Sequence, residues 1–139
     1  AKVTLLDSLG KRMKWLETVL PQLGVSAQCI TARAEEAVTD RRETYDYATS
    51  RAVARLNILL ELTAPYVKVG GAVLAMKGAA AREELAESAN AIRKLGLQLE
   101  EVRVFPIDGT NHAVIVLRKI APTPRQYPRR FSKIKQAPL

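Results

Sequence analysis

The sequence predicts an α/β fold, in which a mostly parallel, twisted sheet carries helices on both faces and ends in an antiparallel hairpin. Short apolar, β-branched runs alternate with segments whose apolar residues recur at helical spacing, in the order β-α-β-β-α-β-α-β-β. A short link, 106–111, joins the last two runs, as is typical of a hairpin. The 139 residues suffice for one domain, which we assign to 1–120, with a tail at 121–139.

The first half begins with a buried strand that Asp7 and Ser8 close, and either residue can cap the helix that follows. Leucines and Met13 recur along that helix at steps of four and three, so they form one apolar stripe. The third strand is rich in aromatic and β-branched residues. We predict strands at 2–6, 25–31 and 45–49, a helix at 9–20, a turn or short helix at 33–36 and a polar loop at 39–44.

Proline and glycine punctuate the second half. Pro65 ends or bends the helix before it, and Gly96 stops a later helix. Gly70 and Gly71 suggest a tight turn. Four prolines among basic residues predict an extended tail, not a helix, at 121–139. We predict helices at 56–64 and 81–95, a turn at 69–71, and strands at 72–76, 97–105 and 112–117.

The stretch YDYATSRAVARL (45–56) suggests a ligand site. Ser50 and Arg51 break the strand pattern, and Arg51 and Arg55 stand four apart on a helix that we expect to start there. In an open α/β sheet, ligands bind at the carboxyl ends of strands, where such a polar, basic turn would lie. Alternatively, the stretch is a strand, a loop and a helix with two solvated arginines.

Positive charge is concentrated near the end of the chain. The formal net charge is +8, and residues 109–139 hold seven Lys or Arg and no Asp or Glu, which leaves 15 basic against 14 acidic residues elsewhere. A basic end on a neutral body suggests an arm that binds phosphates. A solubilising tail explains the same pattern.

Several other chemistries find little support in the sequence. Cys29 is the sole cysteine and lies in an apolar run, so we expect a buried, inert thiol and a reducing, cytoplasmic location. His112 is the sole histidine, which makes a Ser-His-Asp set depend on one strand residue. No cluster of His, Cys and acids predicts a metal site, and no apolar run is long enough to span a membrane.

Asp7 follows a strand and precedes a helix, where an acid of a doubly wound fold accepts hydrogen bonds from ribose hydroxyls. Helix capping explains this one acid equally well. A nucleotide site also needs a glycine-rich turn upstream, and Gly70-Gly71 precede a strand instead of following one. Because the chain opens inside a strand, we expect it to be a fragment of a longer protein.

A family resemblance rests on five stretches: TLLDSLGKRMKWLE (4–17), ARAEE (32–36), YDYATSRAVARL (45–56), VKVGGAVLAMKG (67–78) and TPRQYPRR (123–130). In this order they resemble the bacterial ribosomal RNA small subunit methyltransferase G family, also called glucose-inhibited division protein B. The resemblance implies a Rossmann-like class I methyltransferase dependent on S-adenosyl-L-methionine. Its substrate would be N7 of a guanine in 16S ribosomal RNA, free or in the small ribosomal subunit.

The resemblance also implies roles for individual residues. Asp7 would hold the cofactor ribose, while Ala34 and Glu35 would frame the adenine. Arg51 would line the cofactor and catalytic pocket, and Lys77 would be a second catalytic residue that positions the base. The basic residues facing RNA would be Lys11, Arg12, Arg55, Lys77, Arg125, Arg129 and Arg130.

Two departures from the family pattern matter. The glycine-rich motif and its strand would lie upstream of Ala1, and Asn111 stands where the family often has Arg. We expect the absent strand between those at 2–6 and 45–49. Its loss would leave two exposed sheet edges that invite self-association, and the chain alone would be inactive.

The implied reaction agrees with the lack of a catalytic base. Guanine N7 carries a lone pair and no proton, so its attack on a sulfonium methyl group needs alignment and electrostatics, not a general base. The alternative from another class is a non-catalytic RNA-binding module on a Rossmann-like scaffold.

Overall fold

The computed structural model describes residues 1–51 and 54–139. Ala52 and Val53, which belong to the stretch at 45–56, lie outside the described residues. The chain forms two compact units, Ala1–Thr39 and Asp40–Leu139, and residues 121–139 belong to the second. No helix among the described residues is both long and apolar enough to cross a membrane.

The first unit contains a two-stranded parallel sheet. Strand β1 is Thr4–Asp7 and strand β2 is Gln28–Thr31, and Asp7 lies opposite Thr31 in the register. Helix α1, Gly10–Gln22, joins them and buries Met13. It continues through Pro21, so the predicted end at residue 20 was two residues early. A short helix, α2 at Ala34–Ala37, follows β2.

The second unit contains a mixed four-stranded sheet. In space the strands run β3-β4-β6-β5; β3 and β4 are parallel, and the other two pairs are antiparallel. The α/β class and the terminal hairpin are thus confirmed. The elements are β3 Tyr45–Arg51, α3 Leu56–Thr63, β4 Val67–Lys77, α4 Ala81–Glu87, α5 Ala89–Lys94, β5 Leu97–Ile107, β6 Thr110–Lys119 and α6 Phe131–Gln136.

The described strands pair as two separate sheets. Within residues 1–51 and 54–139, β1 pairs with β2, and β3 pairs with β4. A strand between the first and third strands therefore stays a prediction.

The hairpin follows from its turn chemistry. Ile107 lies opposite Thr110, so Asp108 and Gly109 alone form the turn. Both have positive φ, at 50° and 77°, which is the left-handed region that two-residue hairpin turns require.

The predicted turn at 69–71 was wrong, because β4 runs through both glycines as one strand. The pairing jumps from Tyr45–Val67 to Tyr47–Ala72, which marks an irregularity in β4. Gly70 has a φ of +94°, and a Cβ on Gly71 would lie 2.2 Å from the carbonyl oxygen of Asp46. The glycines therefore permit a bulge pressed against β3.

The helix predicted at 81–95 is interrupted at Ser88. The hydroxyl of Ser88, which is fully buried, donates to the carbonyl of Glu84 at 2.6 Å. A serine hydroxyl that binds a backbone carbonyl competes with regular helix bonding. The result is two helices, α4 and α5, with the second ending near Gly96 at a φ of +80°.

The core of the second unit joins α3 to one face of the sheet. Leu56, Leu59 and Leu60 are at most 2% exposed, and burying each stabilises the fold by about 2 kcal/mol. Ile115 and Leu117 meet them from alternate positions of β6, where side chains of one face recur with a period of two. The core extends to α4 through Ala81, to α5 through Ala91, and to the residue after α5, Leu95.

The tail is held against the second unit by Arg42. Its guanidinium donates to three tail carbonyls, those of Thr123, Pro124 and Tyr127, at 3.0, 2.8 and 2.7 Å. The predicted extended conformation was wrong for Phe131–Gln136, which forms α6 and buries Ile134. Tertiary contacts thus decide the shape of a proline-rich segment whose local composition favours extension.

A buried ion pair links α3 to the tail. Glu61 is 0% exposed, and its carboxylate accepts from the backbone N–H of Arg129 at 2.8 Å and from its guanidinium at 2.7 Å. This carboxylate raises the pKa of Arg129 above its ordinary value. Arg129 also donates to the carbonyl of Ala137, so one side chain joins α3 to both sides of α6.

Replacing Arg129 with Met should lower the free energy of unfolding by about 3 kcal/mol, because the buried carboxylate of Glu61 would lose its cation. Urea denaturation followed by circular dichroism measures this. Arg125→Met, which changes an exposed arginine of the same segment, should stay within about 0.5 kcal/mol of the unsubstituted chain. Equal losses for the two variants would contradict the structural role of the pair.

Candidate functional site

The first candidate cluster lies at the carboxyl ends of β1 and β2. Asp7 is the last residue of β1, and its backbone carbonyl accepts from the N–H of Ala32 at 3.1 Å, one residue beyond β2. Because these strands are parallel, their carboxyl ends share one edge, and α2 begins close by in sequence at Ala34. Asp7, Ala34 and Glu35 thus follow neighbouring strand ends, where ligands of open α/β sheets bind.

The carboxylate of Asp7 is ionised and partly open. Its Oδ1 accepts from the N–H of Leu9 at 2.9 Å, and its Oδ2 pairs with the guanidinium of Arg12. The Leu9 N–H is the main cause that lowers the pKa of Asp7, and Arg12 adds to it. A carboxylate has about four acceptor positions, and this side chain is 22% exposed. Acceptor capacity therefore remains for the hydroxyls of a ribose.

Glu35 is less open than Asp7. Its Oε1 accepts from the Nε of Arg33 at 2.7 Å, and its side chain is 10% exposed. The same contact raises the pKa of Arg33. Glu35 and Ala34 are therefore half-buried, and the carboxylate of Glu35 is already paired with Arg33.

The basic residues of α1 differ in their use. Lys11 is exposed, whereas Arg12 pairs with Asp7 although its side chain is 61% exposed. Arg12 thus acts on the carboxylate that is expected to hold a ribose, and Lys11 is the more open cation of the two.

The second cluster lies at the carboxyl ends of β3 and β4. Arg51 is the last residue of β3, opposite Met76 of β4, and it is exposed. The predicted helix start at Ser50-Arg51 was therefore wrong: the strand includes both residues, and α3 begins at Leu56 with Arg55 as its N-cap. Arg51 projects from a strand end, which still fits the position expected of a ligand-binding residue.

Ser50 points to the opposite face of the sheet from Arg51, because side chains alternate along a strand. Its Oγ is buried and finds no hydrogen-bond partner within 1–51 and 54–139.

Lys77 is not an open cation. Its side chain is 8% exposed, and its Nζ lies 3.1 Å from Oε1 of Glu84 and donates to the carbonyl of Ala54. The structure therefore places Lys77 in an internal pair and not on the open surface that contact with RNA requires. Arg55 is more accessible, but it pairs with Glu87 at 2.6 Å.

Of the three tail arginines predicted to face RNA, two are exposed. Arg125 and Arg130 are open, while Arg129 forms the buried pair with Glu61. Sequence reasoning missed Glu61 and Glu84 as the acids that engage basic motif residues. Glu61 left a signal, since it interrupts the apolar run ILLELT (58–63), whereas Glu84 stands in an ordinary charged helix segment.

The described part of the chain holds no group of side chains that could bind a metal ion. Nowhere in 1–51 and 54–139 do three His, Cys, Asp or Glu side chains come together as a metal site needs.

Comparison with protein families identifies similarity over most of the chain. Residues 1–113 match the family model described as rRNA small subunit methyltransferase G. Proteins of that name are 46% identical in Clostridium beijerinckii, 45% in Thermotoga neapolitana and 42% in Fervidobacterium nodosum, each over 99% of this chain. The chain covers 59%, 61% and 66% of the length of these three relatives.

Solved structures show the same fold. An rRNA methylase from Streptococcus thermophilus matches 86% of this chain and 74% of its own, with a TM-score of 0.60 and 17% identity. A 16S rRNA (adenine(1408)-N(1))-methyltransferase from Catenulisporales acidiphilia covers the same shares with a TM-score of 0.71 and 14% identity. At these identities the likeness concerns the fold, which agrees with a class I methyltransferase architecture.

Replacing Arg12 with Gln should raise the pKa of Asp7 only in part, because the larger cause, the N–H of Leu9, remains. Carboxyl carbon chemical shifts followed through an acid titration measure this pKa. Lys11→Gln is the control, since Lys11 is adjacent to Arg12 in sequence and is not among the groups that shift the pKa of Asp7. A return of Asp7 to its ordinary pKa in the Arg12 variant would make Arg12 the main cause instead.

Proposed function

This chain belongs to the rRNA small subunit methyltransferase G family, and we propose that it forms part of an S-adenosyl-L-methionine-dependent methyltransferase that modifies N7 of a guanine in 16S ribosomal RNA. The observation that carries the proposal is 46% identity over 99% of the chain to a relative of that name. The activity is a proposal for the whole protein, since this chain spans about 60% of the length of such relatives.

The proposed cofactor residues suit the parts of the cofactor that they would hold. Asp7 would accept hydrogen bonds from the ribose hydroxyls with its carboxylate, which is ionised at neutral pH. Ala34 and Glu35, whose carboxylate is paired with Arg33, would frame the adenine. S-adenosyl-L-methionine, when bound, supplies a methyl group on a positively charged sulfur.

Arg51 is the proposed catalytic residue and would also line the cofactor pocket. Its guanidinium is exposed at a strand end and offers several N–H donors, so it can bind a phosphate bidentately or donate to O6 of guanine and leave the lone pair of N7 free. N7 bears a lone pair and no proton, so Arg51 would orient the base and would not remove a proton. Catalysis would come from alignment and electrostatics.

The RNA contacts are assigned to the open cations. Lys11, Arg125 and Arg130 are exposed, and we assign phosphate contacts to them. Arg12, Arg55, Lys77 and Arg129 are engaged by acids of the chain, so they contribute first to structure. The partner would be 16S ribosomal RNA, free or in the small ribosomal subunit. Because that RNA is in the cytoplasm, the protein would act there too.

Self-association is proposed as a property of this chain alone, through the outer edges of β1 and β3. Sedimentation velocity at increasing concentration tests it, and a single monomer at all concentrations would contradict it.

In the complete protein, Asp7→Ala should weaken the binding of S-adenosyl-L-methionine by about tenfold or more, because hydrogen bonds to a charged group are lost. Arg51→Ala should slow methyl transfer to unmethylated small-subunit RNA by about a hundredfold. Calorimetry measures the first effect, and incorporation of labelled methyl groups measures the second.

Arg103→Ala is the matched control, because Arg103 is an exposed strand arginine that pairs with Glu101 and has no proposed role in the reaction. It should retain both activities. A complete protein that binds the RNA but ignores S-adenosyl-L-methionine would instead be the non-catalytic RNA-binding module.

A further inference from the structure

Three consecutive residues, the two before α3 and its first residue, are each held by a side chain from the end of β4 or from α4. The carbonyl of Ala54 accepts from Nζ of Lys77, and the N–H of Leu56 donates to Oε1 of Glu84 at 2.8 Å. Between them, Nε of Arg55 lies 2.6 Å from Oε1 of Glu87. Each of residues 54–56 thus makes a hydrogen bond or an ion pair with one of these side chains.

Lys77 and Glu84 form the centre of this arrangement. They lie 3.1 Å apart, with side chains 8% and 11% exposed, so both charges are largely removed from water. One oxygen, Oε1 of Glu84, serves both the ammonium group of Lys77 and the N–H of Leu56. Loss of Lys77 would leave the carboxylate without its cation and the carbonyl of Ala54 without its donor.

A second buried pair in the same unit provides a comparison, because we assign it no role in the reaction. Nζ of Lys119 lies 3.1 Å from Oε2 of Glu43 and donates to the carbonyls of Ala64 and Val67 at 2.7 and 2.8 Å. Burial lowers the pKa of Lys119, and Glu43 opposes that shift. This pair secures the turn between α3 and β4.

The place of Lys77 distinguishes it from Lys119. Lys77 is the last residue of β4, one residue beyond Met76, which lies opposite Arg51. The carbonyl that Lys77 binds belongs to residue 54, three positions after Arg51. Lys77 therefore stands between the end of β3, which carries the arginine proposed to orient the substrate, and the start of α3.

We propose that Lys77 is a positioning residue: it fixes residues 54–56, directly and through Glu84, against the paired ends of β3 and β4, and it thereby keeps the strand end that carries Arg51 in the arrangement that methyl transfer needs. This role rests on the proposed function. It replaces direct contact with the base or RNA by an indirect action, and it assigns Glu84 a part that the sequence did not indicate.

The test compares Lys77→Met and Glu84→Gln with Lys119→Met in the complete protein, with S-adenosyl-L-methionine and unmethylated 16S ribosomal RNA. Lys77→Met should lower the single-turnover rate per folded molecule by about tenfold or more, since small misplacements of catalytic groups cost that much. Glu84→Gln should lower it in the same direction, and Lys77→Arg should restore part of it. Lys119→Met should lose stability but keep its rate per folded molecule.

Salt dependence separates positioning from RNA contact. A lysine that binds a phosphate contributes about one to the slope of log affinity against log salt concentration. Lys77→Met should leave that slope unchanged, whereas Arg130→Met should reduce it. A reduced slope for Lys77→Met overturns the proposal in favour of direct contact, and equal rates for the Lys77 and Lys119 variants overturn it in favour of a purely structural role.

Hydrogen exchange tests the positioning role without requiring methyl transfer. The amide of Leu56 should exchange faster in Lys77→Met and Glu84→Gln than in Lys119→Met, and unchanged exchange would overturn the positioning role even in an active enzyme. If Lys77→Met does not fold, Glu84→Gln supplies the same comparison, because a neutral amide of the same size weakens both the pair with Lys77 and the hydrogen bond from Leu56. An unsubstituted protein that transfers no methyl group overturns the proposed function and with it this role.

Discussion

The carboxylate of Glu61 lies wholly inside the second unit, and a charge in that position is costly unless a cation and hydrogen-bond donors surround it. Arg129 supplies both from the far end of the chain. The same requirement recurs where Glu43 meets Lys119 and Glu84 meets Lys77. Each pair ties a segment of irregular backbone to a helix or strand, so paired charges, together with the leucine core, determine how the connecting segments run.

This use of charge changes the meaning of the basic motifs. A sequence with a net charge of +8 and a basic end suggests a surface for phosphates. In the folded chain, Arg42 donates hydrogen bonds to carbonyls of the tail, and Arg129 pairs with the buried carboxylate of Glu61. Fewer cations remain open for the proposed RNA contacts, and they include the exposed residues Lys11, Arg125 and Arg130. Basic residues of one motif thus divide between those that hold the fold and those that stay exposed.

Local chemistry explains which predictions succeeded. Asp108-Gly109 has the turn geometry of a hairpin, and the apolar spacing of Leu56, Leu59 and Leu60 specifies a helix face. Most failures arose where distant groups outweighed local preference. Gly70-Gly71 form a bulge because β3 passes close to them. The interruption at Ser88 is a local exception, since its hydroxyl binds the carbonyl of Glu84, four residues earlier. The proline-rich tail includes α6 because Arg42 and Glu61 hold the segment before it.

The sequence by itself determined the α/β class, the terminal hairpin, the family and the placement of Asp7 at a strand end, because each depends on neighbouring residues or on a motif readable in order. The tertiary structure decided that Arg51 ends a strand and stays open, while Lys77 is enclosed. The two differ because the partners of Lys77 come from elsewhere in the chain: Glu84 from α4 and the carbonyl of Ala54 from the segment before α3. A residue's burial and partner depend on which segments the fold brings together, and the spacing of residues along a chain does not specify that.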